Sequence, residues 1–426
     1  MNREWQDRWQ SMAEQLQQLS AQFNQSTNPV NHSLYALTES LLAFSKDQID
    51  FFWEGFTSGR LLPAIDLPQE HVMRATLDQV AFDMSIIQHI NLQRGQETLK
   101  ATQEVADKLA QIALNVAVDG GLLPPCSALT YCNKSVHIRL IPYAPMALIG
   151  IPFTAAKVHK DFLAIPHEVG HFVYHHAPGL AARLHALIPL HPNWINHWIE
   201  EIFADVFAAY VAGPVCGLSL QEIMLDNSQE EFVADDGEHP PRAVRPYGIN
   251  SALHQLGEKW IANELDELWQ ERLANRHRPK KFLPHKSATP AKLSRARKLL
   301  VQTAAAFVDF LKEQPKLKRA DPWADGIKAT DGLDDLFESF NRLCDEPLTV
   351  AQYHLKIVGD KVGVCRPGGT LENERPLGST QTWRDWIKKE SRLQKEVLLP
   401  AQAWKPLFTA GYWPVKGPEG NSDGGI

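Results

Sequence analysis

The stretch from Leu163 to His176, LAIPHEVGHFVYHH, constrains this chain more tightly than any other. On an α-helix, residues four apart share one face, one turn apart. His167 and His171 can then offer imidazole nitrogens to one cation about 2.0–2.1 Å from each. Glu168 follows the first histidine and is turned about 100° around the axis, beside such a cation rather than on it. Pro166 requires the helix to start or kink there, because only at the first helical position does its missing N–H cost nothing. Two histidines at this spacing also occur on buried helices. With 17 histidines in the chain, the pair needs a third ligand, a base and a transition-state partner elsewhere.

Residues 193–213, NWINHWIEEIFADVFAAYVAG, read as a helix with three carboxylates. Trp194, Trp198, Ile202, Val206 and Ala209 form its apolar stripe, and Glu201 and Asp205 share a different face at i and i+4. That pairing suits a ligand plus a carboxylate that holds a ligating histidine by its other N–H. Glu200 is the rival ligand, but its i+4 residue is Ala204, which cannot do that second job. A third element, DDGEHPPRAVRPYG at 235–248, offers His239, Arg245 and Tyr247. Amide hydrolysis builds negative charge on the carbonyl oxygen, and a donor or cation placed there contributes much of the rate. On spacing alone the same segment reads equally well as a polar, proline-rich loop.

In this order, HEVGH, EIFAD and HPPRAVR resemble the gluzincin metallopeptidases. They look most like the type that includes the bacterial heat-shock membrane protease and the CAAX prenyl protease. That type has an HExxH helix, a later E-x-x-A-D helix, and an H-P with Arg six residues after the His. The resemblance covers roughly residues 135–260. It implies a zincin-like core with Zn2+ on His167, His171 and Glu201, and Glu168 as general base. It also implies Asp205 behind a ligand, and His239 and Arg245 near the substrate or oxyanion. The sequence departs from that type in showing no membrane-spanning helices, so a membrane-embedded prenyl-protein substrate is not expected.

The rest of the chain reads as α+β, predominantly helical, with a small sheet beside the active-site helix. Residues 1–118 carry helical periodicity and DGGLLPP at 119–125 breaks it. Two short strands are expected within SVHIRLIPYAPMALIGIPF, 135–153. The second, ALIGIP, reads either as an edge strand that pairs with an extended peptide or as an internal strand. Helices are expected over about 155–212, 249–273 and 288–314. DKVGVCRPGGTLENERPLG reads as strand and turn, and EGNSDGGI as an unpacked tail. The expected organisation is an N-terminal helical region (1–130), a metallopeptidase core (131–260), a helical extension (261–317) and a C-terminal α+β region (318–426).

Hydrophobic residues at 44%, charged residues at 22% and a net charge of −7 describe an ordinary soluble protein with no reason to bind nucleic acid. The basic run RHRPKK, 276–281, reads as a solvated linker. Five irregularly spaced cysteines do not make a disulfide framework and fit a reducing compartment. No secretory leader is apparent. His175 is expected to cap its helix, while His185, His191 and His197 line a cleft or lie on the surface. The expected function is a cytoplasmic, zinc-dependent endopeptidase that hydrolyses protein or peptide substrates through a metal-activated water, with no membrane partner. The alternative is a catalytically silent, zinc-bound regulatory or binding module on a peptidase scaffold. A gate is expected in residues 177–195 or 318–426, with a regulatory partner or ligand left open.

Overall fold

A computed structural model describes residues 3–377 apart from 26–27, 64, 66, 189–191, 319–322 and 324–331. The expected C-terminal tail and His191 lie outside the described residues. Four long helices open the chain: α1 (Arg3–Asn24), α2 (Pro29–Thr57), α3 (Gln69–Arg94) and α4 (Glu97–Asp119). The start of α2 follows from local chemistry. Pro29 occupies its first turn, and Asn28 Oδ1 accepts a hydrogen bond from Val30 N at 2.9 Å.

After α4 comes a three-stranded sheet of β1 (Ser127–Asn133), β2 (His137–Arg139) and β3 (Met146–Pro152), in the order β1-β3-β2. β3 runs parallel to β1 and antiparallel to β2. The ALIGIP segment is therefore the central strand, and its edge-strand reading does not hold. β2 covers its outer side from Leu148 to Gly150. Both faces of the sheet are covered, so β1 and β3 are buried on each side. Leu129, Tyr131, Met146 and Leu148 face one core; Ala128, Cys132, Ala147, Ile149 and Ile151 face the other.

Two 3-10 turns, Phe153–Ala156 and His159–Ala164, lead into α5 (Ile165–His176). Pro166 sits in the first turn of α5, so the helix starts where the sequence requires. Then follow α6 (Leu180–Ala186), α7 (Asn193–His197), α8 (Ile199–Ala212), α9 (Pro214–Ile223), α10 (Gln229–Phe232), α11 (Pro246–Leu256) and α12 (Lys259–Asn275). The expected single helix over 193–213 is broken at Trp198, and the one expected over 249–273 is two. A short hairpin, β4 (Lys281–Phe282) and β5 (Ala291–Lys292), precedes α13 (Leu293–Lys312). The chain is thus predominantly helical with small sheets.

Past these come α14 (Leu333–Asp345) and a second sheet, β6 (His354–Val358), β7 (Lys361–Cys365) and β8 (Glu372–Pro376), in sequential antiparallel order. This sheet packs on α2. It buries Tyr353, Leu355, Val362 and Val364 with Tyr131 and Leu148 of the first sheet. Ser127 Oγ donates to Tyr353 O at 2.6 Å, and Leu355 N to Ser33 Oγ at 3.1 Å. The described part of the C-terminal region is thus built into a core. α6 is similarly tied down, with Leu180 and Leu184 buried and Arg183 over the Phe310 ring. All five cysteines are free. Among the described residues no helix is long and apolar enough to cross a membrane.

Candidate metal centre

The site is made where α5 crosses α8. A Cβ placed on Gly170 would lie 2.7 Å from Ala204 Cα, so these two residues mark the closest approach of the helices. His167 and Glu201 each lie three residues before that point, and His171 and Asp205 each lie one after it. The absence of a side chain at Gly170 lets two imidazoles on one helix meet two carboxylates on the other.

His167 Nε2 and His171 Nε2 stand 3.1 Å apart. Glu201 Oε2 is 3.4 Å from His167 Nε2, and Glu201 Oε1 is 3.4 Å from His171 Nε2. These three residues form the candidate metal-holding group among the described residues. Donors about 2.0–2.1 Å from one tetrahedral ion lie roughly 3.3 Å from one another, so the spacing suits zinc. The opposite nitrogens are engaged. His171 Nδ1 is 2.8 Å from Glu200 Oε1, and His167 Nδ1 is 3.0 Å from Asp205 Oδ1, though poorly aligned for a hydrogen bond. With both Nδ1 atoms turned to carboxylates, two Nε2 lone pairs face each other unless a proton or a cation lies between them. Charge gives the same answer. Glu200, Glu201 and Asp205 bring three negative charges and Arg245 returns one, a difference met by protons on the neighbouring histidines or by a bound cation. The residues present therefore fit a zinc ion, and they are equally suited to other divalent ions that take nitrogen and oxygen ligands.

Electrostatics around the group are strongly coupled. Burial alone would raise the carboxyl of Glu201. His171, His239, His167 and Arg245 outweigh it and hold the group well below the usual carboxylate range. Asp205 is also lowered, against its burial, chiefly by Arg245. Burial opposes a proton on His167, but Asp205 and Glu201 raise it to about 9. Glu200 is held low against burial by His171 and His175.

Arg245 is buried. Its Nε donates to Asp205 Oδ2 at 2.8 Å, and its Nη2 to Asp205 Oδ1 at 2.9 Å and Glu201 Oε2 at 3.0 Å. His239 is one-third exposed, with Nε2 3.4 Å from Glu201 Oε1 and Nδ1 2.8 Å from Asp236 Oδ2. Burial would lower His239, but Glu201 and Asp236 raise it. Both residues, with His167, Glu168 and Asp205, line a cleft of about 320 Å³. Its other wall includes Val136, Leu163, Leu220, Ile223 and Met224. Glu168 makes no hydrogen bond or ion pair among the described residues.

The sequence-expected residues thus come together, with one exception. Tyr247 turns away: its hydroxyl bonds Gln270 on α12 and its ring lies under Arg297. His175 lies in the last turn of α5, and its Nε2 is 3.0 Å from Glu200 Oε1. His185 meets the Tyr174 hydroxyl at 3.1 Å, and His197 is exposed. No described residue of 177–195 or 318–377 lines the cleft. Two contributors escape the sequence reading, Gly170 and Asp236, and Glu200, weighed there as a rival ligand, instead meets His171 Nδ1. Asp236 had a local signal, since its Oδ1 accepts from Glu238 N and His239 N in the manner of an Asx turn.

A scan against protein-family models and searches of curated proteins and of solved structures find no match to this chain.

Proposed function

We propose that this chain is a zinc-dependent endopeptidase with a zincin-like core of the gluzincin kind, hydrolysing peptide bonds in a protein substrate in the cytoplasm. His167, His171 and Glu201 would hold the ion. When bound, zinc supplies Lewis-acid polarisation of the scissile carbonyl and lowers the pKa of a water it holds. The observation that carries catalysis, rather than metal binding alone, is Glu168. The other carboxylates of the group are each held by a histidine or Arg245, whereas Glu168 lines the cleft with no hydrogen bond or ion pair among the described residues. A free carboxylate in that position takes the proton from the attacking water and delivers it to the leaving amine.

His239 stands at the cleft with Nδ1 fixed by Asp236, which aims Nε2 inward to donate to the oxyanion. Arg245 lines the cleft with Nε and Nη2 bound to Asp205 and Glu201, so its part is to position the ligand set. Ser135 and Val136, which lead into the outer strand β2, line the same cleft. Backbone pairing with an extended substrate therefore falls to β2 rather than β3.

The alternative, a silent zinc-bound regulatory module, gives no reason for an unpaired Glu168. Glu168→Gln is expected to keep about one zinc per chain and to lose cleavage of an unfolded protein by a factor of at least about 100. A variant that cuts as fast as wild type would remove this mechanism. A zinc-loaded wild type that cuts no unfolded protein or peptide library would favour the silent module.

A further inference from the structure

The basic run at 276–281 is part of something larger. Residues 276–298, RHRPKKFLPHKSATPAKLSRARK, hold nine Lys or Arg and no Asp or Glu, in a chain of net charge −7. Eight of the nine are exposed: Arg278, Lys280, Lys281, Lys286, Lys292, Arg295, Arg297 and Lys298. None of them forms an ion pair among the described residues.

The fold gathers these charges and leaves them unrelieved. β4 and β5 pair antiparallel with Lys281 directly opposite Lys292, a like-charge pair that weakens a hairpin. Lys292 is also the N-cap of α13, whose first turn contains no acidic residue. Arg295, Arg297 and Lys298 follow within two turns, at the helix end where cations are disfavoured. Arg297 lies 3.7 Å over the Tyr247 ring, and Leu293 N donates to Lys280 O at 3.0 Å, which ties the start of α13 to the start of the hairpin. Of the carboxylates on the neighbouring elements, Asp235 accepts from Trp198 Nε1 and His285 N, Asp266 from Asn250, and Asp236 pairs with His239.

This face adjoins the metal cleft. His285 N donates to Asp235 Oδ2 at 3.0 Å, in the loop that carries His239. Phe282 packs edge-on against Trp194 and tilted against Trp198, at the entry to α8. No Phe, Tyr or Trp is exposed in the segment; Leu283 is its exposed large apolar residue. The surface therefore offers charge without the stacking platform that single-stranded nucleic acid uses.

We propose that the β4–β5 hairpin and the first turns of α13 form a docking face for an acidic segment of the protein substrate, next to the metal cleft. That the acidic segment belongs to a substrate rests on the peptidase reading; the binding itself does not.

The test is fluorescence anisotropy of a labelled oligo-glutamate peptide with the full-length, zinc-loaded protein. The triple variant Lys281→Ser, Lys286→Ser, Lys292→Ser changes only exposed side chains. Wild type is expected to bind, with affinity falling as salt shortens the screening length from about 10 Å to about 3 Å. The triple variant is expected to bind at least about tenfold more weakly. Equal binding by both proteins, or none by wild type, would overturn the docking face. So would a DNA duplex that displaces the peptide at lower concentration than unlabelled peptide does. Cleavage of one test peptide with acidic or neutral extensions separates the two proposals. The acidic extension is expected to lower KM in wild type but not in the triple variant, with kcat unchanged. Cleavage with no such preference overturns the substrate-docking role and keeps the peptidase. Peptide binding without any cleavage removes the peptidase and the substrate assignment together.

Discussion

Glu200 Oε1 lies 2.8 Å from Nδ1 of His171, while Oε1 of the next residue, Glu201, lies 3.4 Å from Nε2 of the same ring. Adjacent carboxylates of α8 thus address the two nitrogens of one imidazole. One is placed to share a metal with the ring and the other to fix its tautomer. The distinction is testable. Glu201→Ala is expected to lose the metal, whereas Glu200→Gln keeps it with affinity reduced about 10–100-fold. Elemental analysis and a chelator competition measure both; equal losses in the two variants would make them joint ligands.

Arg245 pairs with both Asp205 and Glu201 and stays charged at any pH. Its removal leaves buried carboxylates uncompensated. Arg245→Met is expected to destabilise the metal-free protein by about 3–5 kcal/mol, and zinc is expected to restore part of the loss. Denaturant unfolding with and without chelator reads this directly. Unchanged stability with only kcat reduced would instead place Arg245 on the substrate.

The pH dependence follows from His167, which Asp205 and Glu201 raise to about 9 against its burial. A raised histidine stabilises the metal-free fold fully below its unfolded pKa of about 6.5. That contribution is lost as pH rises through about 9, so the metal-free protein is expected to weaken across that window. A metal must displace the same proton. At pH near 7 each zinc bound is expected to release about one proton, measured as a buffer-dependent calorimetric heat. Heats independent of the buffer would show that His167 is already neutral.

Gly170 sets the distance between the two helices that carry the candidate ligands. A methyl there would sit 2.7 Å from Ala204 Cα and 3.2 Å from Ala204 O, against backbone that cannot swing aside. Gly170→Ala is expected to cost about 1–3 kcal/mol and to weaken metal binding by spreading His171 from Glu201. Wild-type stability and metal affinity in this variant would mean that the helices can part without disturbing the site.

Much of this centre was legible in the one-dimensional chain. His167 and His171 share a face because helical geometry fixes the i, i+4 relation, and Glu201 pairs with Asp205 by the same rule. Pro166 located the start of α5 because few helical positions tolerate it. The helical character of the first 118 residues follows from periodicity, which is likewise local. Strands β1 and β6 were missed. β1 is buried on both faces, with Ser127 and Thr130 among its apolar residues, so it shows no clean alternation for a sequence reading to find.

What only the tertiary structure decided are relations between segments distant in the chain. That Glu200 would meet His171, that Tyr247 would turn to Gln270, and that ALIGIP would be central all depend on how elements pack. The basic run was read as a linker because its reinforcement by Lys292, Arg295 and Arg297 comes from a hairpin turn and a helix start that bring them beside it. By itself the sequence determined which residues share a helix face, since backbone geometry repeats within a few residues. Which faces meet was decided by side-chain volume at crossings such as Gly170 against Ala204, a property of two segments together.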